Sequence, residues 1–172
     1  MKVAARLAVV VLTTAVLQVG LIAQLPVAGA RGMILMLLGI AGGIALGPER
    51  GAVVGFVSGL AFDLLVTTPL GLCALVFAVT GWVAGRYQIT VTRSARWRMA
   101  LTAAVGSALG YSLLVVVGWL LGQPRFLSDR LVVILLVVSV MNAILCPVAV
   151  RVLRWAWDED ERVRSYGTTY GK

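Results

Sequence analysis

Histidine is missing from this sequence altogether, cysteine occurs twice, and charged side chains make up only 13% of 172 residues. Without histidine, neither a histidine-ligated metal centre nor a histidine-based catalytic triad can be assembled. Cys73 and Cys146 lie far apart inside apolar runs, with no CxxC spacing. They read as small buried hydrophobes and not as zinc ligands, a redox pair or a disulfide framework. No metal, no cofactor and no catalytic residue is expected. Soluble domains carry about 25% charged residues, so this chain is short of the polar surface needed to coat itself in water. Its composition is that of a membrane protein.

Acid is scarcer than base: 7 Asp and Glu stand against 15 Lys and Arg, a net charge of +8. In a soluble protein that excess would suggest nucleic acid. Here most cations fall between or beyond apolar runs, where they bear on topology, and no nucleic-acid partner is expected.

A helix needs about 20 apolar residues to cross the hydrocarbon core. Six runs qualify as candidate spans, at about 7–25, 28–46, 51–66, 70–85, 99–121 and 131–151. Pro26, Pro48, Pro69 and Pro124 fall in the proposed connections, whereas Pro147 should bend or end the sixth helix. With an inside N-terminus, the inner segments hold Lys2, Arg6, Arg50, Arg86, Arg93, Arg96, Arg98, Arg151, Arg154, Arg162, Arg164 and Lys172, and only Arg31, Arg125 and Arg130 lie outside. The positive-inside rule thus places both termini in the cytoplasm. The first apolar stretch, followed by "VAGA" ending at Ala30, has the outline of a secretory signal. It exceeds the usual ~7–15 apolar residues of one and is read as a retained span. The fold expected is all-α: a polytopic membrane protein of about six transmembrane helices, one domain over 1–157, with a charged cytoplasmic tail over 158–172.

No inter-helix stretch is long enough for a folded domain, which disfavours an enzyme. The informative segment is "GAVVGFVSGLAFDLLVTTPLG", 51–71. Gly51, Gly55, Gly59 and Asp63 recur every fourth residue and form one helix stripe. Small-xxx-small stripes let two helix backbones approach closely, so the third span is expected to pack tightly against a partner helix, in this chain or another, a second copy included. Asp63 lies ~18 Å along the helix from Gly51, in the outer half of the bilayer. A buried carboxylate there needs compensation. It can cap backbone N–H groups at the "TTPLG" turn or the start of the fourth helix, pair with Arg31 or another outer cation, or handle an ion. Gln18, Ser139 and Asn142 are its strongest polar companions elsewhere, a thin basis for a pump. At the turn, Pro69 suits a first helical turn, Thr67 or Thr68 an N-cap, and Gly71 close packing. The third and fourth spans are short enough to form a shielded or re-entrant hairpin.

Two cytoplasmic surfaces remain. Arg86, Arg93, Arg96 and Arg98, with Tyr87 and Trp97, read first as positive-inside sorting plus an aromatic belt, and secondarily as a dock for an acidic partner or anionic lipid. Trp155 and Trp157 read as interfacial anchors, with Trp119 at the opposite face. "DEDERVR" reads as a solvated helix extension or flexible tail.

The run "GFVSGLAFDLLVTTPLGLCAL", 55–75, resembles the G-x-x-x-G-x-x-x-D then P-L-G-x-x-A-L pattern of the MreD family of rod shape-determining membrane proteins. Gly55, Gly59, Asp63, Pro69 and Gly71 carry the match, and the length and span layout are similar too. The resemblance implies a non-enzymatic scaffold in side-wall peptidoglycan synthesis, the elongasome. Its implied partners are a single-pass MreC-like protein, through it a transpeptidase and a SEDS-type glycosyltransferase, and in many bacteria an actin-like filament. The family is also similar in architecture to the substrate-binding subunits of energy-coupling-factor transporters, which implies a small-solute-binding membrane subunit as the alternative. The acidic cluster Asp158–Glu161 and the tyrosine-bearing tail match nothing in the pattern.

Overall fold

The structure is a computed structural model, which describes residues 2–18, 20, 33–65, 70–90, 96–122 and 131–169; of residues 2, 89, 90, 96 and 158–169 it describes the backbone alone. Six helices make up the regular structure of the described residues: α1 Lys2–Leu17, α2 Ile34–Leu46, α3 Pro48–Leu65, α4 Leu72–Thr90, α5 Arg96–Leu120 and α6 Leu131–Thr169.

Their arrangement follows from where side chains can be hidden. α2 is apolar all round, and every residue from Leu35 to Ile44 is buried. A helix of that kind belongs at the centre, and α2 touches all five others. Its 13 residues span only ~20 Å, short of a ~30 Å hydrocarbon core. Around it, α1 offers a narrow buried seam of Leu7, Val11, Ala15 and Gln18, and α6 a seam of Val138, Asn142, Cys146, Val150 and Leu153. The outward faces stay apolar, with Phe56, Leu60 and Leu64 exposed on α3, Leu101, Val105 and Leu109 on α5, and Leu136, Val140 and Ile144 on α6. So much exposed apolar surface suits lipid and would drive association in water. Among the described residues two helices are long and apolar enough to cross a membrane by length and composition: Trp97–Leu120 within α5 and Leu131–Trp157 within α6.

Side-chain and backbone hydrogen bonds fix the joins. Met33, the residue before α2, gives no side-chain cap. Gln18 of α1 supplies one instead, its Oε1 accepting from the Leu35 N–H at 3.1 Å. Between α2 and α3, Gly47 takes φ +93, and its N–H donates to the Gly43 carbonyl at 3.0 Å. A residue with a Cβ is strained at that φ. α5 and α6 run antiparallel, held by Asn142 Nδ2 donating to Ser107 Oγ at 2.8 Å and by Cys146 Sγ donating to the Met99 carbonyl at 3.6 Å.

The expected boundaries need several corrections. Pro48 is not in a connection: it opens α3, where its missing N–H would have no partner anyway. α1 begins five residues before the apolar run does, α4 continues past Gly85 to Thr90, and α5 starts at Arg96, because polar residues continue a helix once its apolar part is anchored. Pro147 does not end α6, which runs on to Thr169. Proline removes one i→i−4 bond. Beyond it Val150, Leu153 and Ala156 keep the same buried face, and that packing carries the helix through. Pro26, Pro69 and Pro124, and the ends of the first two spans at 21–32, lie outside the described residues.

Candidate functional site: a glycine-packed core and its capping aspartate

α3 lies against both α2 and α4. Its small-residue stripe faces those two helices, so the close partners of Gly51, Gly55 and Gly59 are in this chain. A methyl group placed on Gly59 would sit 2.5 Å from both Ala74 Cα and the Cys73 carbonyl oxygen. On Gly55 it would meet the Phe77 carbonyl carbon at 2.6 Å, and on Gly51 the Gly43 nitrogen at 2.6 Å. Backbone therefore rests on backbone along three turns of α3. Ser58 is consumed in the same wall, its Oγ donating to the Gly55 carbonyl at 3.0 Å. Phe62 and Phe77 close the far end with tilted rings 5.7 Å apart.

The other half of this contact comes from glycines the sequence reading passed over. A Cβ on Gly39 would lie 2.9 Å from Gly55 Cα, on Gly43 2.8 Å from Gly85 N, and on Gly85 2.5 Å from Pro48 Cα. Gly39 and Gly43 on α2, and Gly81 and Gly85 on α4, repeat the four-residue step of α3. That spacing was the signal available.

Asp63 is 3% exposed at the end of the stripe, next to the start of α4. The first N–H groups of a helix have no intrahelical acceptor. Here Asp63 Oδ2 accepts from Gly71 N–H at 2.9 Å, Cys73 N–H at 3.2 Å and Ala74 N–H at 3.3 Å, and Oδ1 also accepts from Cys73 N–H at 3.2 Å. Gly71, at φ +101, swings the chain so that its own N–H joins the set. The positive end of the α4 dipole adds to the attraction. One helix thus caps the next across a turn. Thr67, Thr68 and Pro69 of that turn, and Arg31, lie outside the described residues.

The remaining polar groups are mostly spoken for as well. Gln18 caps α2 and Asn142 binds Ser107, while Ser139 Oγ is buried without a hydrogen-bond partner. Among the described side chains the acids are Glu49 and Asp63, which sit ~21 Å apart along α3. That separation denies them a shared proton. Cys73 and Cys146 are both buried and free.

Cations gather at the other end of α3 and α4. Arg86 stacks over the Trp82 ring at 5.6 Å and Arg98 over Trp97 at 5.6 Å. Arg6 of α1 reaches Trp155 of α6 at 5.1 Å, and Arg50 of α3 reaches Trp157 at 5.7 Å. Of the basic tetrad, Arg93 lies outside the described residues and Arg96 is described only as the first residue of α5. The starts of α1, α3 and α5, the end of α4 and Trp157 of α6 are thereby brought to one basic, tryptophan-lined end.

A buried apolar helix inside an apolar-faced bundle, with interior polar groups spent largely on backbone and on one another, defines an integral helical membrane protein built for packing. Comparison with protein families agrees and is more specific. The family model for the rod shape-determining protein MreD matches residues 3–156, and the chain belongs to that family of bacterial membrane proteins. No curated protein and no solved structure matches it.

Proposed function

We propose that this protein is a non-enzymatic membrane scaffold in the complex that builds side-wall peptidoglycan, holding an MreC-type single-pass protein and, through it, a transpeptidase and a SEDS-type glycosyltransferase. Family membership supports a role in rod shape determination. The observation that carries the finer reading is the engagement of Asp63 by three backbone N–H groups, which makes the carboxylate a structural brace. In this reading Gly51, Gly55, Gly59, Asp63, Pro69 and Gly71 serve the partner indirectly, by fixing α2, α3 and α4 so that their outer surfaces stay in register. The chain crosses the plasma membrane six times with both termini and the tail 158–172 in the cytoplasm, where Arg86, Arg93, Arg96 and Arg98 meet anionic headgroups or an acidic partner. The alternative, a small-solute-binding membrane subunit, needs a cavity lined by polar groups near the outer face, whereas Asp63 is spent on the N–H groups of Gly71, Cys73 and Ala74.

The test is purification of the tagged full-length chain in mild detergent, with mass spectrometry of what accompanies it, alongside depletion of the chain in cells. A single-pass wall-synthesis protein should co-purify, and depleted cells should lose their rod shape. A folded chain that brings no wall-synthesis protein with it, in cells that stay rod-shaped when it is depleted, would reject the scaffold.

A further inference from the structure

The two halves of α6 answer to different neighbours. Before Pro147, Asn142 bonds Ser107 and Cys146 bonds the Met99 carbonyl, so this half is tied to α5. Counted from the Asn142–Ser107 pair, α5 begins eleven residues before Ser107, and antiparallel α6 outruns it near Leu153. After Pro147 the helix turns to α1 and α3 instead, where Arg6 lies 5.1 Å from the Trp155 ring and Arg50 5.7 Å from that of Trp157. Pro147 sits between the two sets. It has no N–H for the Ala143 carbonyl, so the missing bond of the helix falls where the neighbours change. Prolines are where sharp helix bends concentrate. Beyond Trp157 the backbone stays helical to Thr169, twelve residues or ~18 Å further.

We propose that α6 is a jointed lever. Residues 148–169 move as one rod about Pro147, and the stacking of Arg6 on Trp155 and of Arg50 on Trp157 is the latch that holds the rod against α1 and α3. Val150, Leu153 and Ala156 are buried in the same half, but apolar contact is non-directional and permits sliding. The latch sets the angle. A turn of about 20° at Pro147 displaces Arg154 by about 4 Å and Thr169 by about 11 Å. A cation is held over a ring only within about 6 Å of its centre, so a displacement of that size opens both contacts. Force on the extension therefore reaches α1 and α3 and spares the bonds to α5. Only the compartment in which the extension lies rests on the six-span reading; the joint does not.

The experiment places pairs of nitroxide labels on the full-length chain in lipid nanodiscs and reads their separation by pulsed EPR. Leu101→Cys with Arg154→Cys relates α5 to the half of α6 after Pro147, and Ser112→Cys with Leu136→Cys relates it to the half before; all four positions are exposed. Both pairs should give one narrow distance in the otherwise unchanged chain. Arg6→Gln/Arg50→Gln should shift or broaden the 101–154 distance by about 4 Å and leave 112–136 as it was. Arg6→Lys/Arg50→Lys keeps both cations and should read like the parent. Adding Pro147→Ala to the glutamine pair should bring the narrow 101–154 distance back, because the rod no longer has a joint. An unchanged 101–154 distance in the glutamine pair overturns the latch. Broadening that survives Pro147→Ala, or that spreads equally to 112–136, overturns the joint.

Discussion

Asp63 concentrates the cost of burying charge and its remedy in one side chain. A carboxylate at this depth loses water, and the start of α4 leaves N–H groups equally dry; setting one against the other satisfies both. Replacing Asp63 by alanine strands the donors of Gly71, Cys73 and Ala74. Each buried unsatisfied donor costs about 1–3 kcal/mol, so the variant should lose about 3 kcal/mol or more, read as a lower melting temperature in micelles. Asp63→Asn keeps one acceptor oxygen and should fall between the two. An alanine variant that melts like the parent would remove Asp63 from the list of structural residues. How far the sequence reveals such pairs depends on distance along the chain. The cap on α4 was among the readings open for Asp63, because donor and acceptor lie within one hairpin. Gln18 capping Leu35 was not legible, since nothing local says that the end of α1 returns to the start of α2.

At the scale of the helix pair, the question is what replaces hydrophobic drive in lipid. Where apolar side chains gain nothing by leaving acyl chains, close backbone approach and dispersion hold helices together. The glycines of α2, α3 and α4 make that approach, so even one methyl group is too many at the tightest points. Gly59→Ala should cost about 1–3 kcal/mol through overpacking. Gly106→Ala is the control: its Cβ would find Ile40 Cδ1 at 3.4 Å, and alanine's better helix propensity should leave stability level or slightly raised. Thermal melts of the two variants in one detergent check the contrast, and equal effects would mean that the stripe is not what holds the hairpin. The stripe on α3 was readable from its spacing. Its matching glycines on α2 and α4 obeyed the same rule and lacked only a charged residue to draw the eye. The limit of α6 was unreadable for another reason: the local preference of Pro147 to break a helix is outweighed by tertiary packing on both sides of it.

Across the whole molecule the basic residues and tryptophans set a direction. Arg6 with Trp155 and Arg50 with Trp157 tie α1, α3 and α6 at one end, and Arg86 and Arg98 lie at the ends of α4 and α5 beside them. Trp119 and Leu121, both exposed, mark the far end of α5. A cation at the inner leaflet gains about 1 kcal/mol from anionic lipid, so the proposed orientation, basic end inward, draws on arginines of four helices, α1, α3, α4 and α5. The native cysteines are buried and need not be removed before single reporters are introduced. Leu121→Cys and Arg154→Cys, treated in spheroplasts with a membrane-impermeant maleimide, should then separate cleanly. The cysteine at 121 should label at once, and the cysteine at 154 only after the membrane is opened. The opposite pattern would invert the bundle and put the basic end outside. Labelling of both from outside would mean that α5 and α6 do not each cross the membrane, and the six-span topology would fall with them.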